Sequence, residues 1–393
     1  MAAEISYVLI TPYSLMKSRT GGIIARLLSR CDLDFIGAQM LAFNQTQSEK
    51  MAETIYQSEH DSSEMAANLL ADYVRKNFAP RRDGRPERVL MLLFQGEDAC
   101  RKLSGVCGRL IHQDPVRDHA GESIRDTYAD VVEDKEHPGK VVYFEPAVFT
   151  PPNVRSAKML LSVLAEVSAS NNNILTDYVG KQDNFERTMV IIKPENWRYA
   201  SSRPGNVIDM LSRTGLVIAG CKVYRMSVAE ALDFYGPVKN ALRGKVGPRL
   251  GECGANELIS HMNLIVDDAT RNDLCRLIGQ VAADDQFGRI VEFMSGRRPE
   301  FCSGDDLTKP GLAKCMVIVY EGVDAIRKIR DVLGPTDPSK APAGTVRRDF
   351  GSDVMVNTAH ASDSPESVTR ELKIIKMESN SMRKKILDYL ANE

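Results

Sequence analysis

The residues best placed for covalent chemistry lie in VMVNTAHASDSPES, Val354 to Ser367. His360 has small neighbours, Ala359 and Ala361, and is followed by Ser362, so a reacting group has an open approach to its ring. An imidazole in such a setting suits nucleophilic work near neutral pH. Val354 and Val356 alternate as at the end of a strand, and Ser364 before Pro365 has the form of an N-cap with proline at the first helical position. The pattern predicts a strand over Phe350 to Val356, a helix from Pro365, and His360 in the tight connection between them.

The order Asn357, His360, Ser362, Asp363, Ser364 resembles the active-site segment of the nucleoside diphosphate kinase family. The resemblance continues through LGPTDPSKAPAGTVRRDFG (Leu333 to Gly351) and IIKPENW from Ile191, and spans essentially residues 188 to 376. It implies phosphoryl transfer, which needs a nucleophile, cations that balance the moving charge, and donors that hold the phosphates in line. Residue by residue, it makes His360 the phosphate acceptor and Lys193 a donor near the transferred group. Arg330 and Arg347 match the phosphate-clamping arginines, a role suited to forked guanidinium groups. Thr336 matches a hydroxyl on the phosphates, Tyr235 the tyrosine beside the histidine, Asn357 the amide that reads the sugar, and Ile290 an aliphatic partner of the base. Ser362 and Glu371 match the pair that orients the site. The substrates implied are ATP and nucleoside diphosphates, with Mg²⁺ bridging nucleotide phosphates rather than sitting in a protein cage.

Two departures stand out. The connection from Tyr235 to Phe287 is long for the family, and Gln286 replaces the aromatic that stacks on the base, with Phe287 beside it. A second insertion runs from Arg297 to Ala313. They motivate an alternative reading, a nucleotide-binding regulatory or scaffold protein with weak turnover. The run GKVGPRLG (Gly244 to Gly251) lacks the spacing and Lys-Ser/Thr ending of a phosphate loop.

Whole-chain properties narrow the setting. With 51 basic and 53 acidic side chains the net charge is -2, so no global field favours nucleic acid or membrane. No 18-residue apolar run occurs, and the N-terminal MAAEISYVLI lacks a basic region followed by a long apolar core. Eight cysteines without a CxxC pair fit a reducing compartment; together these features predict a cytoplasmic protein.

Apolar periodicity outlines the elements that position the site. In the second half, strands are expected at Met189 to Ile192, Leu216 to Tyr224 and Lys314 to Tyr320. Helices are expected at Asn206 to Arg213, Val228 to Phe234, about Ala255 to Ala283, Val323 to Val332, Pro365 to Ile375 and Ser381 to Leu390. Without the extra helical region the order is βαββαβ, the ferredoxin-like α+β fold that the resemblance also implies.

An internal repeat accounts for the first half. QGEDACRKLSGVCG from Gln95 aligns with EGVDAIRKIRDVLG from Glu321 at seven identities in fourteen positions. LITP at Leu9, LLSR at Leu27 and TPPNV at Thr150 match IIKP at Ile191, MLSR at Met210 and SPESV at Ser364, in the same order. The expectation is a tandem α+β protein. Residues 1 to 160 form a degenerate domain, 161 to 187 the end of a helix and a linker, and 188 to 393 the catalytic domain, with an insertion at 236 to 285 and an appended helix. In the first copy Thr11 stands for Lys193, Ser104 for Arg330 and, approximately, Pro146 for His360. This copy is expected to replace a subunit inside the chain as an intrachain pseudo-dimer, within a larger homo-oligomer.

Overall fold

Strand β1 (Glu4–Ile10) is apolar on both faces because each face meets a core: Tyr7 and Leu9 enter one cluster, Val8 and Ile10 another. The same division explains the uninterrupted apolar run of β3 (Val89–Gly96), whose Leu90, Leu92 and Phe94 alternate with Val89, Met91 and Leu93 between those clusters. These features belong to a computed structural model that describes residues 3–110, 121–137, 140–175 and 183–391. It contains two compact units: Met1–Val223 with Met316–Leu372 and Lys376–Glu393, and Tyr224–Cys315 with Lys373–Ile375.

The first unit holds two four-stranded antiparallel sheets. In the first half, α1 (Pro12–Met16), α2 (Thr20–Arg30), β2 (Asp34–Leu41), α3 (Gln45–Glu59) and α4 (Glu64–Asn77) precede β3. After it come α5 (Ala99–Cys107), α6 (Ile124–Tyr128), the hairpin β4 (Asp130–Glu133) and β5 (Val141–Glu145), β6 (Val148–Phe149) and α7 (Val154–Ser170). The second half starts with β7 (Phe185–Ile192), α8 (Arg203–Ser212) and β8 (Val217–Tyr224). The second unit then supplies α9 (Val228–Phe234), α10 (Gly236–Lys245), α11 (Gly247–His261) and α12 (Asp268–Ser295). The chain continues with β9 (Cys315–Val323), α13 (Ala325–Leu333), α14 (Val346–Phe350), β10 (Ala359–Ala361), α15 (Pro365–Ile374) and α16 (Met382–Ala391).

The strand orders are β2-β3-β1-β6 and β8-β9-β7-β10, one topology twice, and it is the ferredoxin-like order. Between the sheets lies a shared core. Val8, Ile10, Leu90 and Leu92 meet Val190, Ile192, Met316 and Ile318 there, with Ile24 and Leu27 of α2 and Val207 and Leu211 of α8. The two helices approach so closely that a Cβ on Gly21 would collide with the Asp209 backbone, and one on Gly205 with that of Ala25.

The C-terminal segment returns to the first half. Asn380 donates to the Ala38 carbonyl at 3.1 Å and to Asn173 Oδ1 at 2.9 Å, Lys385 bonds the Ile36 carbonyl, and Met382 and Ile386 enter the first half's outer core. The expected linker begins as a tied segment, because Asn171 bonds both backbone groups of Ala42 at 2.9 Å and Asn173 bonds the Met377 carbonyl at 3.0 Å. The part of that linker at residues 176–182 lies outside the described residues.

The expected strand over Phe350 to Val356 is not formed. Val346–Phe350 is a helix, and the next segment turns on Asp353, whose Oδ1 accepts from the backbone nitrogens of Met355 and Val356 at 2.7 Å. This local Asx geometry competes with ladder pairing, and Val354 is left exposed. His360 therefore lies on a strand, the three-residue β10, rather than on a turn after one.

The second unit is helical across much more than Ala255 to Ala283. Its α11 and α12 meet through Gly251, where a Cβ would strike the Cys275 carbonyl, so GKVGPRLG is helix surface rather than loop. Arg243 pairs with Asp284 through two bonds of 2.8 and 2.6 Å.

Candidate active site

Just before β10 the backbone bends sharply. Thr358 has φ 76°, a left-handed conformation that costs a β-branched residue about 1–3 kcal/mol, and the Ala359 nitrogen closes a three-residue turn on the Asn357 carbonyl at 2.9 Å. Surrounding bonds hold that turn. Thr358 N donates to Glu195 Oε1 at 2.8 Å, and its carbonyl accepts from Lys193 N at 3.0 Å and Asn196 Nδ2 at 2.9 Å. Its hydroxyl accepts from Arg203 Nη2 at 3.2 Å, and Arg203 also bonds the Phe350 carbonyl. Glu195, Asn196 and Arg203 were not singled out in the sequence, since they act on a backbone angle that no motif displays.

The turn delivers His360 to β10, opposite Ile191 on β7. Its Nε2 lies 3.0 Å from Glu371 Oε2, and the buried Ser362 hydroxyl donates to the same oxygen at 2.7 Å. Glu371 reaches this point because α15 is set by Ser364, whose Oγ accepts the Ser367 N–H at 3.1 Å. A neutral imidazole that donates Nε2–H to Glu371 carries its lone pair on Nδ1. The His360 side chain is 23% exposed, enough for a substrate to reach it.

Three cations bond to residues close to His360 in the chain. Lys193, at the end of β7, donates to Asn357 Oδ1 at 2.5 Å and to the Met355 carbonyl at 3.0 Å. Burial lowers its pKa to about 8; Glu195 and Asp353 oppose the shift and Arg347 adds to it. Arg347, on α14, bonds the Gly334 carbonyl at 2.8 Å and the Ala359 carbonyl at 3.0 Å, and burial with the nearby charge of Arg330 lowers its pKa to about 10. Arg330, on α13, is exposed and lies 3.4 Å from the Asp363 carbonyl. Asn357 Nδ2 donates to the carbonyls of Thr336 at 3.0 Å and Val354 at 2.8 Å, and Thr336 itself is exposed.

Eight of the ten expected site residues thus lie in the first unit, linked by these bonds. Tyr235 and Ile290 belong to the second unit. Tyr235 is buried with its ring 4.9 Å from that of Phe234, and Ile290 is half-buried on α12. On the same helix Phe287 is buried under Lys239, with Nζ 5.4 Å from the ring centre, and Gln286 is partly exposed.

The first half repeats several of these backbone bonds. Ala147 has φ 61°, and the Val148 nitrogen bonds the Pro146 carbonyl at 2.6 Å. Arg19 bonds the Tyr128 carbonyl at 2.5 Å as Arg203 bonds that of Phe350. Arg125 bonds the Gly108 and Val148 carbonyls as Arg347 bonds those of Gly334 and Ala359. Leu9 faces Phe149 as Ile191 faces His360, so Phe149, not Pro146, occupies the histidine's station. The helix caps Asn153 and Ser364 are the counterparts, about three residues from the TPPNV–SPESV match that set Pro146 against His360.

A carboxylate-backed imidazole in a segment that three cations bond suits transfer of an anionic group such as phosphoryl. The family model described as nucleoside diphosphate kinase matches residues 306–380. A nucleoside diphosphate kinase of Bdellovibrio bacteriovorus is 29% identical over 191 residues, covering 49% of this chain and 92% of the relative. One from Beijerinckia indica is 54% identical over 57 residues, 14% of this chain and 41% of the relative. A solved NDP kinase structure from Pyrobaculum aerophilum has 24% identity and a TM-score of 0.32, covering 48% of this chain and 94% of that one. These matches make the chain similar to nucleoside diphosphate kinases, with residues 306–380 matching the family model.

Proposed function

We propose that the protein is a nucleoside diphosphate kinase that works through a phosphohistidine at His360. The observation that carries this reading is the contact of His360 Nε2 with Glu371 Oε2 at 3.0 Å, in a segment where Lys193 bonds Asn357, Arg347 the Ala359 carbonyl and Arg330 the Asp363 carbonyl. The Nδ1 lone pair attacks the γ-phosphorus of ATP, the bond from phosphorus to the β,γ-bridging oxygen breaks, and ADP leaves with that electron pair. A terminal phosphate oxygen of a second nucleoside diphosphate then attacks the phosphohistidine and restores the neutral ring. The order is ping-pong.

Glu371 accepts the Nε2 proton's hydrogen bond throughout, which steadies the ring as Nδ1 becomes bonded to phosphorus. Lys193, Arg330 and Arg347 balance the phosphate charge, Thr336 contacts the phosphates and Asn357 the sugar. Among the described residues no group of three or more His, Cys, Asp or Glu is arranged to hold a metal, and the local donors are cations and amides, a set that fits Mg²⁺ carried on the nucleotide's own phosphates. Mg²⁺ so carried supplies charge neutralisation and phosphate alignment.

The first half is a degenerate copy that stands in for a partner subunit, supported by its equal strand order and by Thr11, Ser104 and Phe149 at the positions of Lys193, Arg330 and His360. The protein works in the cytoplasm as a homo-oligomer of such fused pairs; no helix among the described residues is long and apolar enough to cross a membrane. Incubation with γ-labelled ATP leaves an acid-labile label on the wild type and none on His360→Ala. Label retained by that variant refutes the assignment.

A further inference from the structure

The repeated framework makes each position in one half comparable with its counterpart in the other, and at one pair of positions the outcomes differ. Ser14 and Asn196 both bond the carbonyl of the strained residue, Ala147 and Thr358, so Leu15 and Trp197, which follow them, are counterparts. The matched LLSR and MLSR segments make Phe35 the counterpart of Ile218, and the EGVDAIRK repeat makes Phe94 that of Tyr320.

On one side these positions form a filled aromatic stack. The Trp197 and Phe35 rings are stacked with centroids 5.8 Å apart, and Phe35 lies 5.2 Å from Phe94. On the other side Leu15, Ile218 and Tyr320 line a cavity of about 200 Å³. Ile208 and Leu216 extend its apolar wall, and the exposed Met16 lies at its rim. The hydroxyl of Tyr320, which Phe94 lacks, is buried and has no hydrogen-bond partner among the described residues.

Smaller side chains at two of three matched positions have thus left the volume of a missing ring, with a donor at the third. Apolar cavities of ~150 Å³ hold one benzene, so this one has room for a fused bicycle. We propose that the cavity is a binding site for a planar bicyclic aromatic molecule carrying one hydrogen-bond acceptor, seated where the Trp197 ring sits in the opposite half and accepting from Tyr320 Oη. The site lies between the α1–α2 region and the α8–β8 region and uses no residue assigned to phosphoryl transfer.

Quinoline, a fused bicycle with one ring-nitrogen acceptor, is the probe, titrated into the full chain by calorimetry with melting followed in parallel. Saturable one-to-one binding and a raised Tm are expected for the wild type. Tyr320→Phe should weaken binding roughly three- to tenfold, the worth of one neutral hydrogen bond. Leu15→Trp refills the volume as the other half does and should abolish binding while leaving phosphotransfer intact. Where Leu15→Trp fails to fold, Ile218→Phe narrows the same cavity from the facing wall and should weaken binding. Absence of saturable binding to the wild type, or binding undiminished by the filling variant, overturns the site; equal affinity in Tyr320→Phe overturns the acceptor contact.

Discussion

Lys193 should couple nucleotide binding to a proton. Burial lowers its pKa from 10.5 to about 8, which at roughly 1.4 kcal/mol per pH unit disfavours the buried cation by about 3 kcal/mol. A lysine whose folded-state pKa lies below its unfolded value costs stability below about pH 8, where both states carry the proton. The cost is relieved as pH rises from about 8 towards 10.5, because the unfolded chain then binds more protons than the folded one. A nucleotide phosphate beside Nζ reverses the balance by favouring the charged form. Near pH 8, where Lys193 is half protonated, binding of a nucleoside diphosphate should therefore take up roughly half a proton, and affinity should fall as pH rises further. Calorimetry in two buffers of different ionisation enthalpy measures the uptake directly. In Lys193→Met the uptake should vanish and the rise in stability above pH 8 should flatten. Absence of uptake in the wild type, or equal uptake in the variant, refutes the reasoning.

Arg330→Lys keeps the charge and loses the fork, so kcat/KM should drop roughly tenfold; an unchanged value would remove the arginine from the phosphate clamp. In a His360→Ala background, Phe149→His should stay unlabelled by γ-labelled ATP, because Thr11 and Ser104 stand where Lys193 and Arg330 supply charge; label on that double variant would show the first half's site to be rescuable by the nucleophile alone. Met382→Ala and Ile386→Ala, at fully buried positions on α16, should each lower unfolding free energy by about 2–5 kcal/mol in a urea titration, and losses under about 1 kcal/mol would mean the helix is not docked in solution. Residues 181–393 expressed alone should bare the apolar side of β7 and β9 and associate on a sizing column, whereas a soluble, active, unassociated fragment would count against the partner role of the first half.

Much of this architecture is written in local pattern. The continuous apolar run of β1 and the period-3.6 spacing of α2 and α7 follow directly from having two buried faces or one, and His360, Lys193, Arg330 and Arg347 were singled out by their order in the family resemblance. Three features were not legible, for separate reasons. Strand β10 is only three residues long, too short for a period, and the valines before it belong to an Asx-held turn. The angle at Thr358 is imposed by Glu195, Asn196, Lys193 and Arg203 from distant sequence positions. The glycines of the second unit have the composition of a loop, yet they serve close helix contact, a use that only the partner helix reveals.

The packing of α2 on α8 has a consequence for how the enzyme behaves on dilution. Two separate subunits joined by such a surface part when their concentration falls below the dissociation constant, and each then loses the support of the other. Here a peptide chain holds the two surfaces at an effective concentration on the order of millimolar, whatever the amount of protein in solution. The half that carries His360 therefore keeps its neighbour at the nanomolar levels of a kinetic assay, and each half of the interface can accept substitutions without the same change appearing on the opposite side.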